Sequence, residues 1–244
     1  NAGNLVSALT DLNLDAQVNN QDKDDVWLVD LGLFAKLPTQ LPFTCGGTLL
    51  DYRDGQTYNT VQIGNQCWMA ESLNIGMMTS HNAPMSNDGV IEKYCYNNNE
   101  MLCQEWGGLY QWDEAMQYTT TEGTQGICPA EWHIPTEADW DTLDEFLVHH
   151  SVAGGKMKET GTVHWASPNT GATNSSGFTG IGSGTITYTS TTPDNSLYTH
   201  NYIWSSTQYG TEYARRRLLF WISNGSNPYF DLKWLGFSVR CLKD

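Results

Sequence analysis

The sequence is poor in basic side chains. Its 244 residues include only 12 Lys and Arg against 27 Asp and Glu, so the formal net charge is −15 at pH 7. Nucleic acids and anionic membranes bind surfaces with an excess of positive charge, so this composition argues against both partners. No apolar run has the length of a bilayer-spanning helix, and we expect no direct membrane insertion. No secretory signal is visible, although the abrupt start at Asn1 leaves room for a signal or anchor that has been removed.

The sequence also lacks the residue spacings of common metal and catalytic sites. None of its six cysteines forms a C-x-x-C pair, and no histidine lies at zinc-ligand spacing from a cysteine. The acidic run NNQDKDD (19–25) lacks the glycine and the distal glutamate of an EF-hand loop, which favours a solvated loop. No Ser–His–Asp set or pair of carboxylates stands out. We therefore predict no enzyme activity, no catalytic or metal-binding residue and no cofactor. The sequence does not exclude a structural calcium ion.

Aromatic residues, glycine and cysteine are abundant instead. Ten Trp, twelve Tyr and 23 Gly indicate a loop-rich globular protein that favours β-structure. An even number of cysteines in such a chain favours disulfides, and disulfides persist in oxidising compartments. We therefore expect the protein to be extracellular, on a cell surface or on a virion. Six cysteines allow about 15 pairings, so spacing alone does not select one.

The clearest helix is IPTEADWDTLDEFLVHH (134–150). Thr136 can cap its start, and His149 and His150 suit the negative pole at its end. A second helix is predicted over 107–116. Short strands surround these helices, which predicts the α+β class with two helices and several small sheets. Strand patterns occur within 59–69 and 185–191.

The first 43 residues differ from the rest of the chain. The acidic run at 19–25 is followed by the apolar stretch VWLVDLGLFAKLP (26–38), and two prolines then interrupt the chain. We interpret residues 1–43 as a linker or stalk segment that packs on a domain spanning 44–244.

Six motifs then occur in order along the chain. They are VQIGNQCWMAESLN (61–74), YCYNNNEMLCQEWGGLYQWDEAM (94–116), GICPAEWHIPTEADWDTL (126–143), GF (177–178), YIWSST (202–207) and GFSVRC (236–241). Together they resemble the Fibrobacter succinogenes major paralogous domain, which is similar to the formylglycine-generating-enzyme branch of the C-type-lectin-like fold. The resemblance covers about 44–244. It implies two helices, short twisted antiparallel sheets, long loops and disulfides.

The resemblance also implies a disulfide pairing and a buried core. The implied pairs are Cys128 with Cys241, Cys95 with Cys103, and Cys45 with Cys67. Trp132, Trp140 and Trp204 are expected in the core, where each indole N–H needs a partner. His133, beside Trp132, is interpreted as a structural histidine rather than a catalytic one.

Domains of this fold serve as variable proteins of diversity-generating retroelements. In those systems a C-terminal stretch before the last conserved strand is diversified by adenine-directed mutagenesis. Here YIWSST and GFSVRC keep the family pattern, while the residues between them depart from it, within a variable region of about 202–240. Related sequences carry many Asn and Tyr in this interval. Altered asparagine codons yield the Arg, Leu, Phe, Ile, Pro and Asp that occur here.

The same interval has the composition of a protein interface. Aromatic residues and arginine supply large rigid contact area and forked hydrogen bonding. Because ARRRLLFWI alternates along a strand, either the Arg215, Arg217, Leu219, Trp221 set or the Arg216, Leu218, Phe220, Ile222 set faces outward. Both registers expose at least one arginine. The predicted ligand-binding residues are Tyr209, Gly210, Thr211, Tyr213, Arg215, Arg216, Arg217, Leu218, Phe220, Trp221, Ile222, Ser226, Pro228, Tyr229, Phe230, Asp231, Leu232, Trp234 and Leu235.

The resulting hypothesis is a receptor-binding or adhesive protein with a hypervariable surface. Its expected ligand is a cell-surface or host protein; a carbohydrate stacked on Trp221 or Trp234 is the alternative. A second hypothesis is an invariant cell-surface or pilus-tip module of the same family. A third is an oxidase like the formylglycine-generating enzymes, which use a reactive cysteine pair. Since the implied pairing joins Cys241 to Cys128, it leaves no such pair and disfavours the third.

Overall fold

The described part of the chain combines four α-helices with mainly antiparallel strands. The computed structural model describes residues 43–187 and 196–244. Its helices are α1 (Glu100–Trp106), α2 (Trp112–Ala115), α3 (Glu137–Phe146) and α4 (His150–Met157). Its strands are β1 (Thr48–Leu50), β2 (Thr57–Ile63), β3 (Gln66–Met69), β4 (Met77–Met78), β5 (Glu92–Lys93), β6 (Trp132–His133), β7 (Ile186–Thr187), β8 (His200–Tyr209), β9 (Tyr213–Phe220), β10 (Ser226–Leu232), β11 (Leu235–Gly236) and β12 (Leu242–Lys243). The α+β class is confirmed, but the predicted number of two helices is wrong, since the described residues contain four. The predicted stalk lies outside the described residues except for Phe43.

The first sheet has the strand order β1-β2-β3-β12-β6. Strands β2 and β3 form a hairpin around Gly64, which confirms the strand pattern within 59–69. Strand β12 pairs with β3 through Leu242 and Trp68, and with β6 through Leu242 and His133. The last strand of the chain is therefore inserted between the early hairpin and β6.

The second sheet contains the predicted variable region and has the order β10-β9-β8. Arg216, near the middle of β9, lies opposite Trp204 on one side and Tyr229 on the other. The β8–β9 register shifts between Trp204 and Gln208. A small sheet joins β7 to β11, and a parallel pair joins β4 to β5. The strand predicted at 185–191 is confirmed at β7; residues 188–191 lie outside the described residues.

Helix α3 begins where the sequence predicts. The Thr136 hydroxyl accepts the Asp139 amide hydrogen, and the Asp139 carboxylate accepts the Thr136 amide hydrogen, which completes a capping box. The helix ends at Phe146, because Val148 has a left-handed backbone with φ of 93°. His149 instead caps α4, where its ring accepts a hydrogen bond from the Ser151 amide. The prediction that His149 and His150 end the 134–150 helix is therefore wrong.

The helix predicted over 107–116 is shorter in the structure. Leu109 and Tyr110 form β-bridges with Tyr94 and Phe237, so only α2 remains helical. The prediction missed this because bridges to residues distant in sequence leave no local signature.

The main core is built around closely packed aromatic side chains. The Trp68 and Trp140 rings have centroids 4.7 Å apart, and Phe178 meets both edge-on. Trp132, Trp140 and Trp204 are buried as predicted. The expected partner of the Trp140 indole N–H is not found among the described residues. The Trp204 indole donates to the Tyr110 carbonyl over 2.8 Å. Such rings bury large apolar area, which suits a domain with few long helices.

All six cysteines are paired as the resemblance implies. The structure joins Cys45 to Cys67, Cys95 to Cys103, and Cys128 to Cys241. The third bridge spans 113 residues and fixes the chain just before β12. Among residues 43–187 and 196–244, no helix has the length and apolarity that a membrane span requires.

Candidate ligand-binding surface

The β9–β10 turn is fixed against α4. A Cβ atom added to Gly154 would lie 2.0 Å from the Gly225 carbonyl oxygen, and one added to Gly155 would lie 2.5 Å from Asn224 Oδ1. Only glycine permits such close backbone contact. Because the glycines of α4 meet the turn directly, this end of the second sheet is fixed to the rest of the domain.

Lys158 binds the same turn from the buried side. It is fully buried, and its Nζ donates to the carbonyl oxygens of Thr170, Phe220 and Ser223 over 2.8–3.0 Å. Burial lowers the pKa of Lys158 to about 8. The ammonium also lies 5.5 Å from the centre of the Trp165 ring. A single buried side chain therefore binds three backbone carbonyls.

Arg217 is a second anchor. Its guanidinium nitrogens lie 2.5 Å from Glu137 and 2.5 Å from Asp141, and its Nε lies 3.5 Å from Asp144. Burial raises the pKa of Asp144 to about 6, although Arg217 opposes this shift. Arg217 is 0% exposed because α3 covers it. The prediction that Arg217 contacts a ligand is therefore wrong.

Ser226 is also fully buried, and β10 packs on α4 at this point. A ligand cannot reach its side chain, so its predicted ligand contact is wrong as well. Arg217 and Leu219 face the core, and Leu218 and Phe220 are half-buried on the opposite side of β9. At the Phe220 end of β9, the observed register is therefore the one in which Leu218 and Phe220 face outward.

Arg216 has a different environment from its neighbour. Its Nε donates to Asp231 over 2.8 Å, and its guanidinium lies 5.1 Å from the Tyr202 ring and 5.4 Å from the Tyr229 ring. Only 7% of the residue is exposed. Arg216 thus braces the three strands from their outer face, and it offers little surface to a ligand.

Arg215 lies at the other end of β9, among aromatic side chains. Its guanidinium carbon is 4.7 Å from the centre of the Tyr209 ring and 6.0 Å from that of Phe230. Tyr209 stacks on Phe230 at 4.2 Å, and Tyr213 meets the same ring edge-on. Tyr229 stacks on Phe230 at 4.8 Å. We call these five residues the aromatic patch: Tyr209, Tyr213, Arg215, Tyr229 and Phe230.

The aromatic patch is the accessible part of the predicted surface. Its tyrosines are 39–56% exposed, and Arg215 and Phe230 are half-buried. Of the other predicted residues, those in the exposed class are Gly210, Thr211, Ile222 and Pro228. The half-buried ones are Leu218, Phe220, Trp221, Asp231, Leu232, Trp234 and Leu235.

Sequence reasoning missed two exposed residues beside the patch, Gln208 and Glu212. Neither is an aromatic or arginine residue, the two types on which the interface argument was based. The Gln208 side chain accepts a hydrogen bond from Lys233 over 2.7 Å. Lys233 in turn lies 4.2 Å from the centre of the buried Trp112 ring. This chain of contacts fixes the base of the patch on α2.

His133 links α3 to the end of the chain. Its Nε2 lies 3.3 Å from Asp139 and its Nδ1 lies 2.7 Å from Asp244. The hydrogen bond with Asp139 raises the pKa of His133, and Asp244 adds to this effect, whereas burial opposes it. Both ring nitrogens are occupied by carboxylates within the fold, which agrees with the structural role predicted for His133.

A cleft of about 350 Å³ lies elsewhere, and its lining includes none of the predicted ligand-binding residues. On its wall, His164 bridges Glu159 at 2.7 Å and Glu105 at 3.2 Å. Arg240 also lines it; burial lowers the pKa of Arg240 to about 9, and its guanidinium donates to the Phe178 and Thr179 carbonyls. In the described part of the chain, no group of three or more His, Cys, Asp or Glu could hold a metal ion.

Comparison with known protein families gives a match over most of the chain. The family model described as the Fibrobacter succinogenes major domain matches residues 61–243, which is three quarters of the chain. No curated protein and no solved structure matches significantly. The matched range contains all four described helices and every described strand except β1 and the first part of β2. The chain therefore belongs to the Fibrobacter succinogenes major domain family.

Proposed function

We propose that the protein is a non-enzymatic receptor-binding or adhesive protein that binds a ligand through the aromatic patch. The observation that carries this proposal is the exposure of Tyr209, Tyr213 and Tyr229, at 39–56%, around Phe230 and Arg215. Clustered aromatic side chains with an arginine are the composition of binding hot spots. Exposing them to water in one place has a cost in solubility, which a bound partner removes.

The arrangement of the second sheet supports a fixed frame with a replaceable surface. Arg217, Lys158 and the α4 glycines hold the core side and the turn. Tyr229 also contacts Arg216, but none of the described ring contacts of the patch involves Arg217, Lys158 or the α4 glycines, so changing the patch leaves these anchors in place. We propose that the frame is a C-type-lectin-like fold, that a retroelement diversifies the surface, and that the protein acts outside the cell or on a virion. The three disulfides agree with an oxidising compartment.

The cysteines also favour binding over oxidase chemistry. A formylglycine-generating type of oxidase needs a reactive cysteine pair, and all six cysteines of this chain are in disulfides. The Cys128–Cys241 bridge is fully buried, so its sulfur atoms are shielded from a substrate.

A triple alanine variant of Tyr209, Tyr213 and Tyr229 tests the binding surface. We expect selection from a random-peptide phage library to enrich binders on the unaltered protein, and these binders to bind the triple variant about 100-fold more weakly. Each interface tyrosine contributes about 1 kcal/mol or more, and three together give this factor. Dissociation constants measured by biolayer interferometry check the result.

The matched control is Tyr52→Ala, because Tyr52 is 69% exposed and lies outside the second sheet. Its binding should equal that of the unaltered protein. Equal binding by the triple variant, or no enrichment on any protein, would show that the patch is not a binding surface.

The proposed diversification is tested by sequencing the gene from many isolates. We expect amino-acid replacements to concentrate over codons 208–235, at asparagine-type template codons, with a reverse transcriptase and a template repeat nearby. Codons 126–153 form a control stretch of equal length that encodes α3 and its cap. A uniform sequence over both stretches would contradict diversification and would favour the invariant surface or pilus-tip module.

A further inference from the structure

Arg215 differs from the other four arginines of the chain. Arg53 pairs with Asp51, Arg216 with Asp231, and Arg217 with three carboxylates of α3. Arg240 donates to backbone carbonyls. The Arg215 side chain forms no hydrogen bond and no ion pair with any residue in 43–187 or 196–244; its described contacts are with aromatic rings. Among the described residues, no carboxylate or carbonyl oxygen pairs with the Arg215 guanidinium.

Aromatic rings hold this guanidinium in a defined place. The guanidinium carbon lies 4.7 Å from the centre of the Tyr209 ring, and Tyr209 itself stacks on Phe230. A guanidinium over a ring keeps its N–H groups available in its own plane, where they can meet an acceptor. Because the rings restrict the side chain, less conformational entropy is lost when a ligand binds.

Nearby carboxylates do not neutralise Arg215. Asp231 lies on the neighbouring strand, but its carboxylate accepts from Arg216 at 2.8 Å. Glu212 lies in the β8–β9 turn and forms no ion pair with Arg215 in the described structure. The Arg215 guanidinium is therefore available to form an ion pair with a carboxylate of a bound partner.

We propose that the aromatic patch recognises a protein partner through a carboxylate, which Arg215 binds with two parallel hydrogen bonds. This inference rests on the proposed function and names the chemistry of the ligand. Arg–carboxylate pairs of this kind are short and directional, so they fix the orientation of the partner. The partner segment carries apolar or aromatic side chains next to its Asp or Glu. The exposed ring of Tyr209 lies against the guanidinium, and the exposed rings of Tyr213 and Tyr229 lie against Phe230 beside it.

Charge complementarity favours such a segment over a polyanion. The chain has a net charge of −15, and the patch offers one unpaired guanidinium with Glu212 close by in sequence. A nucleic acid needs several phosphate contacts at once, and the rest of the chain repels it. A single carboxylate within an apolar surface matches both the charge and the ring area.

The test compares peptides selected on different proteins. The probe is a random twelve-residue phage library, selected in parallel on the unaltered protein, Arg215→Gln and Arg215→Glu. We expect peptides from the unaltered protein to carry Asp or Glu beside aromatic or aliphatic residues. Peptides from Arg215→Glu should lose this acidic residue and gain Lys or Arg. A synthetic peptide from the first selection should bind Arg215→Gln about 10- to 100-fold more weakly, as expected for a charged hydrogen-bond pair.

Two further measurements sharpen the outcome. Arg215→Lys should recover only part of the affinity, because an ammonium cannot form the paired hydrogen bonds. The variants should melt within about 4 °C of the unaltered protein, since Arg215 makes ring contacts but no ion pair in the described fold. Peptides that need the three tyrosines but show no acidic preference would overturn this inference and leave the proposed function standing. Displacement of the peptide by a short DNA duplex would overturn it in favour of a polyanion, and failure to select any peptide would overturn both.

Discussion

Replacement of Arg217 by methionine should lower the free energy of unfolding by about 3–5 kcal/mol, because breaking a buried ion pair leaves an uncompensated charge. Arg217 is 0% exposed and lies against Glu137, Asp141 and Asp144. Glu137 and Asp141 are partly exposed and can regain water, so the cost falls mainly on Asp144, whose side chain is 5% exposed. Urea unfolding followed by tryptophan fluorescence measures the loss.

Arg215→Met is the matched control for this variant. It removes the same side chain from the same strand, two residues away, but breaks no ion pair within the described residues. Its expected loss is about 1 kcal/mol or less, for the ring contacts. Equal losses for Arg215→Met and Arg217→Met would show that the buried ion pairs do not stabilise the fold.

The Arg217→Met loss should also depend on pH. The folded-state pKa of Asp144 is already raised to about 6 by burial, and removal of the neighbouring cation raises it further. A carboxyl with a raised folded-state pKa binds its proton more tightly in the folded protein, so acidification below this pKa stabilises the fold until the ordinary Asp value is reached. The loss should therefore shrink by about 1–2 kcal/mol between about pH 7.5 and about pH 5.

A double variant separates this explanation from a simple packing defect. Arg217→Met with Asp144→Asn removes the buried carboxylate together with its cation, and should recover most of the lost stability. No recovery, together with a loss that does not change with pH, would assign the effect to the shape of the methionine side chain.

The sequence predicted those features that depend on neighbouring residues. The capping box of α3 lies within four consecutive residues, and the β2–β3 hairpin follows from a short alternating run around a glycine. The disulfide pairing came from the family resemblance, since about 15 pairings fit the cysteine spacing. In each case, either a local rule or a motif contained the required information.

The roles of the three consecutive arginines could not be predicted in this way. Arg217 is paired with Glu137 and Asp141, which lie 80 and 76 residues earlier in the chain. Arg216 is paired with Asp231 of β10, and Arg215 contacts the rings of Tyr209 on β8 and Phe230 on β10. Simple alternation treats Arg215 and Arg217 as equivalent, but α3 covers only the second. Which arginine stays accessible is decided by tertiary packing, and a local alternation rule contains no such information.

The contacts that anchor the β9–β10 turn could not be predicted from the sequence either. Lys158 occurs in the sequence as an ordinary charged residue, although it is fully buried beneath the turn. Gly154 and Gly155 lie within a helix, where glycine is normally unfavourable. These glycines are needed because Asn224 and Gly225 approach the helix closely. Since Asn224 and Gly225 are about seventy residues away along the chain, the helix sequence does not reveal this contact.

The Cys128→Ala, Cys241→Ala double variant should lose about 4–5 kcal/mol of unfolding free energy. Its disulfide closes a loop of 113 residues, and the entropy that a crosslink removes from the unfolded chain grows with loop length. The loss should be measured by chemical unfolding without a reducing agent, so that the two other disulfides stay intact. Hydrogen exchange should show a further effect at β12, because Cys241 directly precedes this strand.

The Cys95→Ala, Cys103→Ala variant is the control that isolates loop closure. Its bridge spans only 8 residues, for which the same relation gives about 2–3 kcal/mol. All four cysteines are 0–1% exposed, so the cavities left by the removed sulfur atoms should cost similar amounts in the two variants. The difference of about 2 kcal/mol then reports the loop length alone. Equal losses would mean that chain entropy is not the source of the stabilisation, and that pairing with β3 and β6 is sufficient to hold the last strand.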